Sequence, residues 1–302
     1  MKHVFIINPT SGKGRAYQQV EAIKELFAEN GQPFEILFTE YQGHATELTK
    51  RFKVSDDVTV YAVGGDGTAY EVLNGLQDQV PLAIIPAGTG NDYYRMLGYT
   101  KKDLKSIIKE TVEGKIVRSD YALANDRRFM NMIALGLDAD ANQVAQDIGK
   151  KLPIPRSLVY IISALAVIVR PRAIDIELSI NDQIIKQKAL LVAIMNGRWY
   201  GGGFQPTPMA SIQDGLLDVC VVSDTSFGRI LKLLPMYAKG THINEPEVKF
   251  YRSDEFTLKT KTLSSVSCDG ETNKQDHVKF KVVKNGICLR VPQASTLKSE
   301  AD

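Results

Sequence analysis

Val58-Thr59-Val60-Tyr61-Ala62-Val63-Gly64-Gly65-Asp66-Gly67-Thr68 is a short apolar run that empties straight into a glycine-rich loop. Its length and β-branched content predict a strand buried on both faces. Glycines directly after such a strand let the backbone turn tightly and bring its N–H groups close to an anion with no Cβ atoms in the way. Thr68 and Glu71 have the Thr-x-x-Glu spacing of a capping box, which predicts a helix starting there with its positive dipole end toward the loop. The expected product is a phosphate cradle. The aspartate among the glycines goes further, because a carboxylate beside bound phosphates is repelled unless Mg²⁺ or a network of cations lies between them. A metal-bound nucleotide is implied.

Two other loops have the same character. Asn8-Pro9-Thr10-Ser11-Gly12-Lys13-Gly14 follows an apolar run at 4–7, and Pro86-Ala87-Gly88-Thr89-Gly90-Asn91-Asp92 follows one at 82–85. Together with runs at 34–38 and 58–63, and a helical spacing over 15–29 closed by Asn30-Gly31, they give a βαβα order. That order predicts a parallel, doubly wound sheet whose loops converge at the carboxyl ends of the strands. Neither common nucleotide fingerprint fits. A Walker A loop needs a glycine where Ile7 stands and a Ser or Thr where Gly14 stands, and no strand leads into Gly-x-Gly-x-x-Gly.

After Gly114 the pattern changes to strand upon strand, with runs at 129–134, 174–180, 189–195, 216–222, 248–251, 256–260, 278–283 and 287–291. Asn181-Asp182 and, more strongly, Asn285-Gly286 read as hairpin turns. Helical segments are expected at 156–170 and 226–238. The predicted organisation is a nucleotide-binding α/β domain over 1–120, a β-rich domain over 121–291, and a tail at 292–302 that packs back on the first.

Composition narrows the partners. With 37 basic and 35 acidic residues in 302, the chain lacks the strong positive field of a nucleic-acid binder. Cys220, Cys268 and Cys288 sit in or beside apolar runs and are expected to be reduced core residues. The first residues lead directly into a strand with no signal-peptide core, so a cytoplasmic location is expected. The apolar stretch 158–169 would span about 18 Å as a helix, short of the ~30 Å of a bilayer core, and reads as a buried or interface-lying helix. Lys150, Lys151, Arg156, Arg170 and Arg172 surround it and suggest transient docking at the inner face of a membrane.

Asn8-Pro9-x-Ser11-Gly12, Gly64-Gly65-Asp66-Gly67-Thr68 and Pro86-x-Gly88-Thr89-x-Asn91-Asp92 resemble, in order and spacing, the catalytic domain of diacylglycerol kinases, which sphingosine kinases share. Later blocks extend the resemblance to the soluble bacterial lipid kinases: Asn196, Gly201-Gly202-Gly203, Pro208, Asp214-Gly215-Leu216-Leu217-Asp218 and Asp269-Gly270-Glu271. NAD kinases and phosphofructokinase-like enzymes resemble the Gly-Gly-Asp-Gly-Thr loop but lack those later blocks. The resemblance implies a doubly wound α/β domain like that of NAD kinase and phosphofructokinase, followed by a mainly antiparallel β-sandwich.

By the same resemblance the activity is phosphorylation of a lipid hydroxyl with ATP and Mg²⁺, diacylglycerol being the foremost acceptor and phosphatidylglycerol or a sphingoid base the others. NAD kinase, or a non-catalytic nucleotide-binding regulator on the same fold, are the rival readings. Glu271 would be the base, with Asp66 and Asp269 beside it in the catalytic set. ATP would contact Asn8, Pro9, Thr10, Ser11, Gly12, Thr39, Gly64, Gly65, Asp66, Gly67, Thr68, Ala69, Tyr70, Thr89 and Asn91. Asp66, Asp92 and Asp120 would hold the catalytic Mg²⁺, and Ser211, Asp214 and Leu216 a second, structural one. The partner is a lipid at a membrane surface, with no nucleic acid; a homodimer is left open. Trp199-Tyr200 and Ala69-Tyr70 are bulkier than the family pattern and bear on the shape of the acceptor pocket.

Overall fold

The apolar runs of the first third form parallel strands because each is followed by a crossover long enough to carry a helix. In the computed structural model, which describes residues 1–100, 103–136, 173–269 and 271–299, these are β1 (Lys2–Ile7), β2 (Phe34–Phe38), β3 (Val58–Gly64) and β4 (Leu82–Pro86). They pair in the order β2-β1-β3-β4, all parallel. Every residue of β3 and β4 is buried, as strands covered on both faces require. The order reverses between β1 and β3, so the crevice favoured for ligands lies at the carboxyl ends of those two strands.

The crossovers carry α1 (Val20–Asn30), α2 (His44–Thr49), α3 (Asp66–Gly75), α4 (Asp92–Arg95) and α5 (Leu104–Val112). α1 turns Ile23 and Phe27 inward and closes on left-handed Gly31. It begins later than its apolar spacing predicts. Gly12, Lys13 and Gly14 all have positive φ, and only a 3-10 turn at Tyr17–Gln19 intervenes before the helix. The chain divides into two units, Met1–Tyr121 with Lys284–Asp302, and Ala122–Val283. Ser295 and Thr296 both donate to the Leu97 carbonyl, from Oγ at 2.6 Å and from N–H at 3.2 Å, within the first unit.

β5 (Lys115–Ala124) runs out of the first unit. The second is antiparallel, with β6 (Arg127–Phe129), β7 (Met132–Gly136), β8 (Ile174–Ile180), β9 (Gln183–Met195), β10 (Leu217–Ser223), β11 (Val248–Ser253), β12 (Glu255–Cys268) and β13 (Glu271–Val291). Pairing runs β11-β10-β9-β7-β12-β13, with β8 hydrogen-bonded to both β9 and β12. α6 (Phe227–Lys239) lays Ile230, Leu233 and Tyr237 on a core that includes Leu191, Ala193, Cys220 and Val222. Cys220, Cys268 and Cys288 are buried and take part in no disulfide among the described residues.

Of the two hairpin signals, one forms. Asn181 and Asp182 both take positive φ, as a type I′ turn needs, and join β8 to β9 through the Ile180–Gln183 pair. At Asn285-Gly286 the expected hairpin is absent. Only Asn285 is left-handed, its N–H donates to the Asp120 carboxylate at 2.7 Å, and β13 runs on through it to pair with β4 at Leu289 and Arg290. A lone left-handed residue held by a neighbouring carboxylate bends a strand but does not reverse it.

The helix expected at 156–170, its apolar stretch 158–169 and the basic residues 150, 151, 156, 170 and 172 lie outside the described residues. Among those described, no helix is long and apolar enough to cross a membrane.

Candidate active site

β1, β3 and β4 end side by side, and the loops that leave them touch backbone to backbone. A Cβ placed on Gly12 would fall 2.0 Å from the Ala87 carbonyl oxygen; one on Gly88 would fall 2.3 Å from the Gly65 Cα. The Gly88 N–H donates to the Gly64 carbonyl at 2.8 Å, and the Asn8 N–H to that of Val63 at 3.1 Å. The Asn8 amide reaches Thr68 Oγ1 at 3.5 Å while its carbonyl oxygen accepts from Thr10 N–H and Oγ1. Thr39, just past β2, donates its N–H to the Ile7 carbonyl at the end of β1. Asn8, Pro9, Thr10, Ser11, Gly12, Thr39, Gly64, Gly65, Gly67, Thr68, Thr89 and Asn91 therefore all belong to segments at one end of the parallel sheet.

The helix after β3 does not use the expected capping box. α3 begins at Asp66, two residues before Thr68; Gly65 is its N-cap in an extended conformation, and no side chain caps it. Glu71 instead accepts from the Ala45 N–H of α2. The physical reason is that Gly64 and Gly65 already make the turn, so the helix is under way when it reaches Thr68. An uncapped N-terminus leaves the first N–H groups of a ten-residue helix without intrahelical partners, which suits an anion. The early start also removes Ala69 and Tyr70 from the loop. Both are helical and buried, at 1% and 4% exposure, and the Ala69 N–H is spent on the Gly65 carbonyl.

Asn91 folds its own loop. Left-handed at φ 54, it gives its amide N–H groups to the carbonyls of Pro86 and Gly88 and takes the Gly88 N–H on its oxygen. Asp66 accepts from the N–H groups of Asp92 and Tyr93, at 3.1 and 3.0 Å, and so binds the β3 loop to α4. Asp92 is buried and paired through Oδ1 with Arg95 at 2.7 Å. Asp66 Oδ2, which takes the Asp92 N–H, and Asp92 Oδ2 both flank Gly90: the position of a Cβ there lies 3.2 Å from the first and 3.5 Å from the second. Two hard, like-charged oxygens beside the glycine loops suit Mg²⁺, which commonly takes one or two carboxylates and completes its shell with phosphate and water. Among the described residues no three His, Cys, Asp or Glu side chains gather as a metal site. Asp120, fully buried, accepts the Asn285 N–H, so part of its charge holds the bend in β13.

In the second unit, Asp269 is left-handed at φ 43 and directs its carboxylate at the β7 turn. Oδ2 accepts from Met130 and Asn131, and Oδ1 from Met132 at 2.8 Å. Those bonds make it a clamp on the turn. Glu271 opens β13, its backbone paired with Cys268 of β12. Ser211, Asp214 and Leu216 share a tight turn, where Asp214 Oδ1 accepts the Leu216 N–H at 3.0 Å and Ser211 Oγ the Gln213 N–H at 3.3 Å. Asp214 Oδ2 meets Arg252 Nη2 at 2.5 Å, and Arg252 Nε lies 2.9 Å from Asp218 Oδ1. Asp218 is 1% exposed, and burial, opposed by Arg252, lifts its carboxyl to about 6. Both Asp214 oxygens are thus engaged, one by a fixed positive charge, which does not fit the expected structural Mg²⁺. Arg252 and Arg198 escape a reading of the sequence. They lie far from the Asp-Gly-Leu-Leu-Asp block along the chain, and only strand pairing brings Arg252 opposite Asp218.

Comparisons with known proteins agree on a family. Residues 2–124 match the diacylglycerol kinase catalytic domain, and residues 131–291 match the YegS C-terminal NAD kinase beta sandwich-like domain. A diacylglycerol kinase of Staphylococcus saprophyticus is 28% identical over 271 residues, spanning 88% of this chain and 87% of its own. One from Bacillus subtilis is 24% identical over 276 residues, 90% of each chain. A crystal structure of a diacylglycerol kinase from Bacillus anthracis superposes with a TM-score of 0.73 over 98% of both chains at 22% identity, which shows the shared fold. With a parallel α/β unit and an antiparallel β-sandwich each matched in turn, the chain belongs to the diacylglycerol kinase-like lipid kinases, phosphotransferases that draw on a nucleotide.

Proposed function

We propose that the protein phosphorylates the free hydroxyl of diacylglycerol with ATP and Mg²⁺, yielding phosphatidic acid. The observation that carries this reading is the meeting of the glycine loops after β1, β3 and β4, where added Cβ atoms at Gly12 and Gly88 would strike backbone. Such a surface presents N–H groups and an uncapped helix terminus to a triphosphate. Asp66 and Asp92, whose Oδ2 atoms flank Gly90, would hold Mg²⁺, with Asp120 as the third carboxylate of the proposal. Bound there, the ion would neutralise phosphate oxygens during transfer.

An alcohol is a poor nucleophile, so a base must take its proton as the new P–O bond forms. Glu271 is assigned that role. Asp269, two residues earlier, keeps the turn before β13 in place through the N–H groups of residues 130–132. The lipid is met at the inner face of a membrane, with the basic residues 150, 151, 156, 170 and 172 as the docking contacts; flotation that ignores anionic lipid would remove that contact from the proposal.

The test incubates purified protein and labelled ATP with diacylglycerol, phosphatidylglycerol and a sphingoid base in mixed micelles, and with NAD. Label is expected in phosphatidic acid, falling about 10²- to 10⁴-fold for Glu271→Ala with the protein still folded. Label on NAD alone would overturn the reading. Label confined to another lipid would correct the acceptor.

A further inference from the structure

β10 and β11 place Asp218 and Arg252 directly opposite each other as a cross-strand pair. From that position the guanidinium spans two carboxylates, with Nη2 at 2.5 Å from Asp214 Oδ2 and Nε at 2.9 Å from Asp218 Oδ1. Asp218 is almost fully enclosed, and among the described residues its oxygens accept no hydrogen bond, so its charge is compensated by proximity to arginine. A second arginine stands at the same turn. Arg198 donates from Nε to the Ala210 carbonyl at 2.7 Å, and its positive charge also acts on Asp218.

We propose that Arg252 is the built-in cation of the 211–218 turn, filling with a guanidinium the place that the family resemblance gives to a structural divalent ion. Two aspartates face two arginines, so the turn is already neutral. A divalent ion added there would leave a net charge of about +2 beside Asp218, which is 1% exposed, while Asp214 and Arg252 keep 30% and 43% of their side-chain surface open to water. At Asp214 a divalent ion would have to compete with a cation already seated, since Oδ2 holds the Arg252 guanidinium while Oδ1 takes the Leu216 N–H. A guanidinium suits this task because its planar fork reaches two carboxylates at once and keeps its charge at any relevant pH. Neither the identity of the lipid acceptor nor the Mg²⁺ proposed beside Asp66 bears on this turn.

Thermal unfolding of the nucleotide-free protein, with and without chelator and with added Mg²⁺, tests this. For the unaltered protein the midpoint should not move when EDTA replaces Mg²⁺, apart from any shift that Asp214→Asn retains and that therefore belongs elsewhere. Arg252→Met should lower the midpoint by roughly 5–10 °C, since it strands a buried carboxylate. Millimolar Mg²⁺ should restore part of that loss, and the restoration should vanish in Arg252→Met/Asp214→Asn. Arg252→Lys, which keeps the charge, should lose less, and it stands in if the methionine variant does not fold. An EDTA-sensitive midpoint in the unaltered protein that Asp214→Asn abolishes would overturn the proposal, as would an Arg252→Met midpoint equal to that of the unaltered protein.

Discussion

The loops after β1, β3 and β4 in the first unit meet backbone against backbone, with Asp66 and Asn91 bracing them from the side, whereas the turns of the second unit at Asp214 and Asp269 rest on carboxylates. Gly12 and Gly88 leave no room for a Cβ beside the backbone of the neighbouring loop. Asp269 instead reaches across to the N–H groups of residues 130–132, and Asp214 to that of Leu216. The first arrangement keeps the surface free of side chains, as a site built of N–H groups requires. The second fixes loop shape while leaving neighbouring side chains free to vary. One should therefore fail when a methyl is added and the other when a carboxylate is removed.

The largest effect expected from breaking this contrast is at Gly88. Its Cβ would lie 2.3 Å from the Gly65 Cα and 2.9 Å from the Gly65 nitrogen, so two loops would have to part. Gly88→Ala should cost about 3 kcal/mol of stability, the upper range for overpacking, and should weaken nucleotide binding at least tenfold. A denaturant midpoint and a nucleotide titration close to those of the unaltered protein would show that the loops are not locked. In the second unit, Asp269→Ala leaves three N–H groups without their acceptor and should cost about 2 kcal/mol. Asp269→Asn keeps one acceptor oxygen and should cost less. Equal losses for the two, read from urea midpoints, would mean that the carboxylate's charge matters more than its bonds.

The two units should also answer acid differently. His3, fully buried on β1 with Nδ1 2.8 Å from the Tyr61 hydroxyl, is held down to about 4 from its usual 6.5, chiefly by burial and then by Arg290. A lowered histidine gives stability that is complete above pH 6.5 and is lost as pH falls toward 4. Between pH 7 and 5.5 this amounts to about 1 kcal/mol. Asp218 runs the other way: raised to about 6 by burial, it gives stability that is complete below its ordinary 3.8 and lost as pH climbs through 6. His242, also lowered by burial, offsets Asp218 within the second unit. Hydrogen exchange corrected for intrinsic rates should therefore quicken on acidification more in β1 and β3 than in β9 and β10, where the two shifts oppose each other. His3→Gln should flatten the first response; an unchanged response in that variant would assign it to other groups.

The glycine loops are legible in the sequence because their positions are written into local composition, and the parallel order is legible because buried strands are plain apolar runs. Legibility stops where burial falls on polar residues. In β12, Ser264 and Ser267 are buried beside Val266 and Cys268, so the period-two apolar signal is absent and the strand reads as ending near residue 260. Asn285-Gly286 misleads for the opposite reason. Its local signal is strong, but the Asp120 carboxylate that holds Asn285 is distant in sequence. The same distance hides Arg252, whose partner is set by register between β10 and β11.

The smallest effect gives the sharpest form of the contrast, because Gly202 looks in sequence like the glycines of the loops. It sits at φ 86 with nothing within 4 Å of the point where a Cβ would stand, so its need is conformational and not steric. Alanine in that left-handed region costs about 1–2 kcal/mol of strain. Loss of glycine's freedom in the unfolded chain returns about 0.4–1 kcal/mol. Gly202→Ala should therefore cost roughly 0.5–1 kcal/mol, with nucleotide affinity unchanged, against about 3 kcal/mol and a tenfold loss for Gly88→Ala. If the two variants shift the urea midpoint equally, close backbone approach is not what separates the loops of the first unit from the turns of the second.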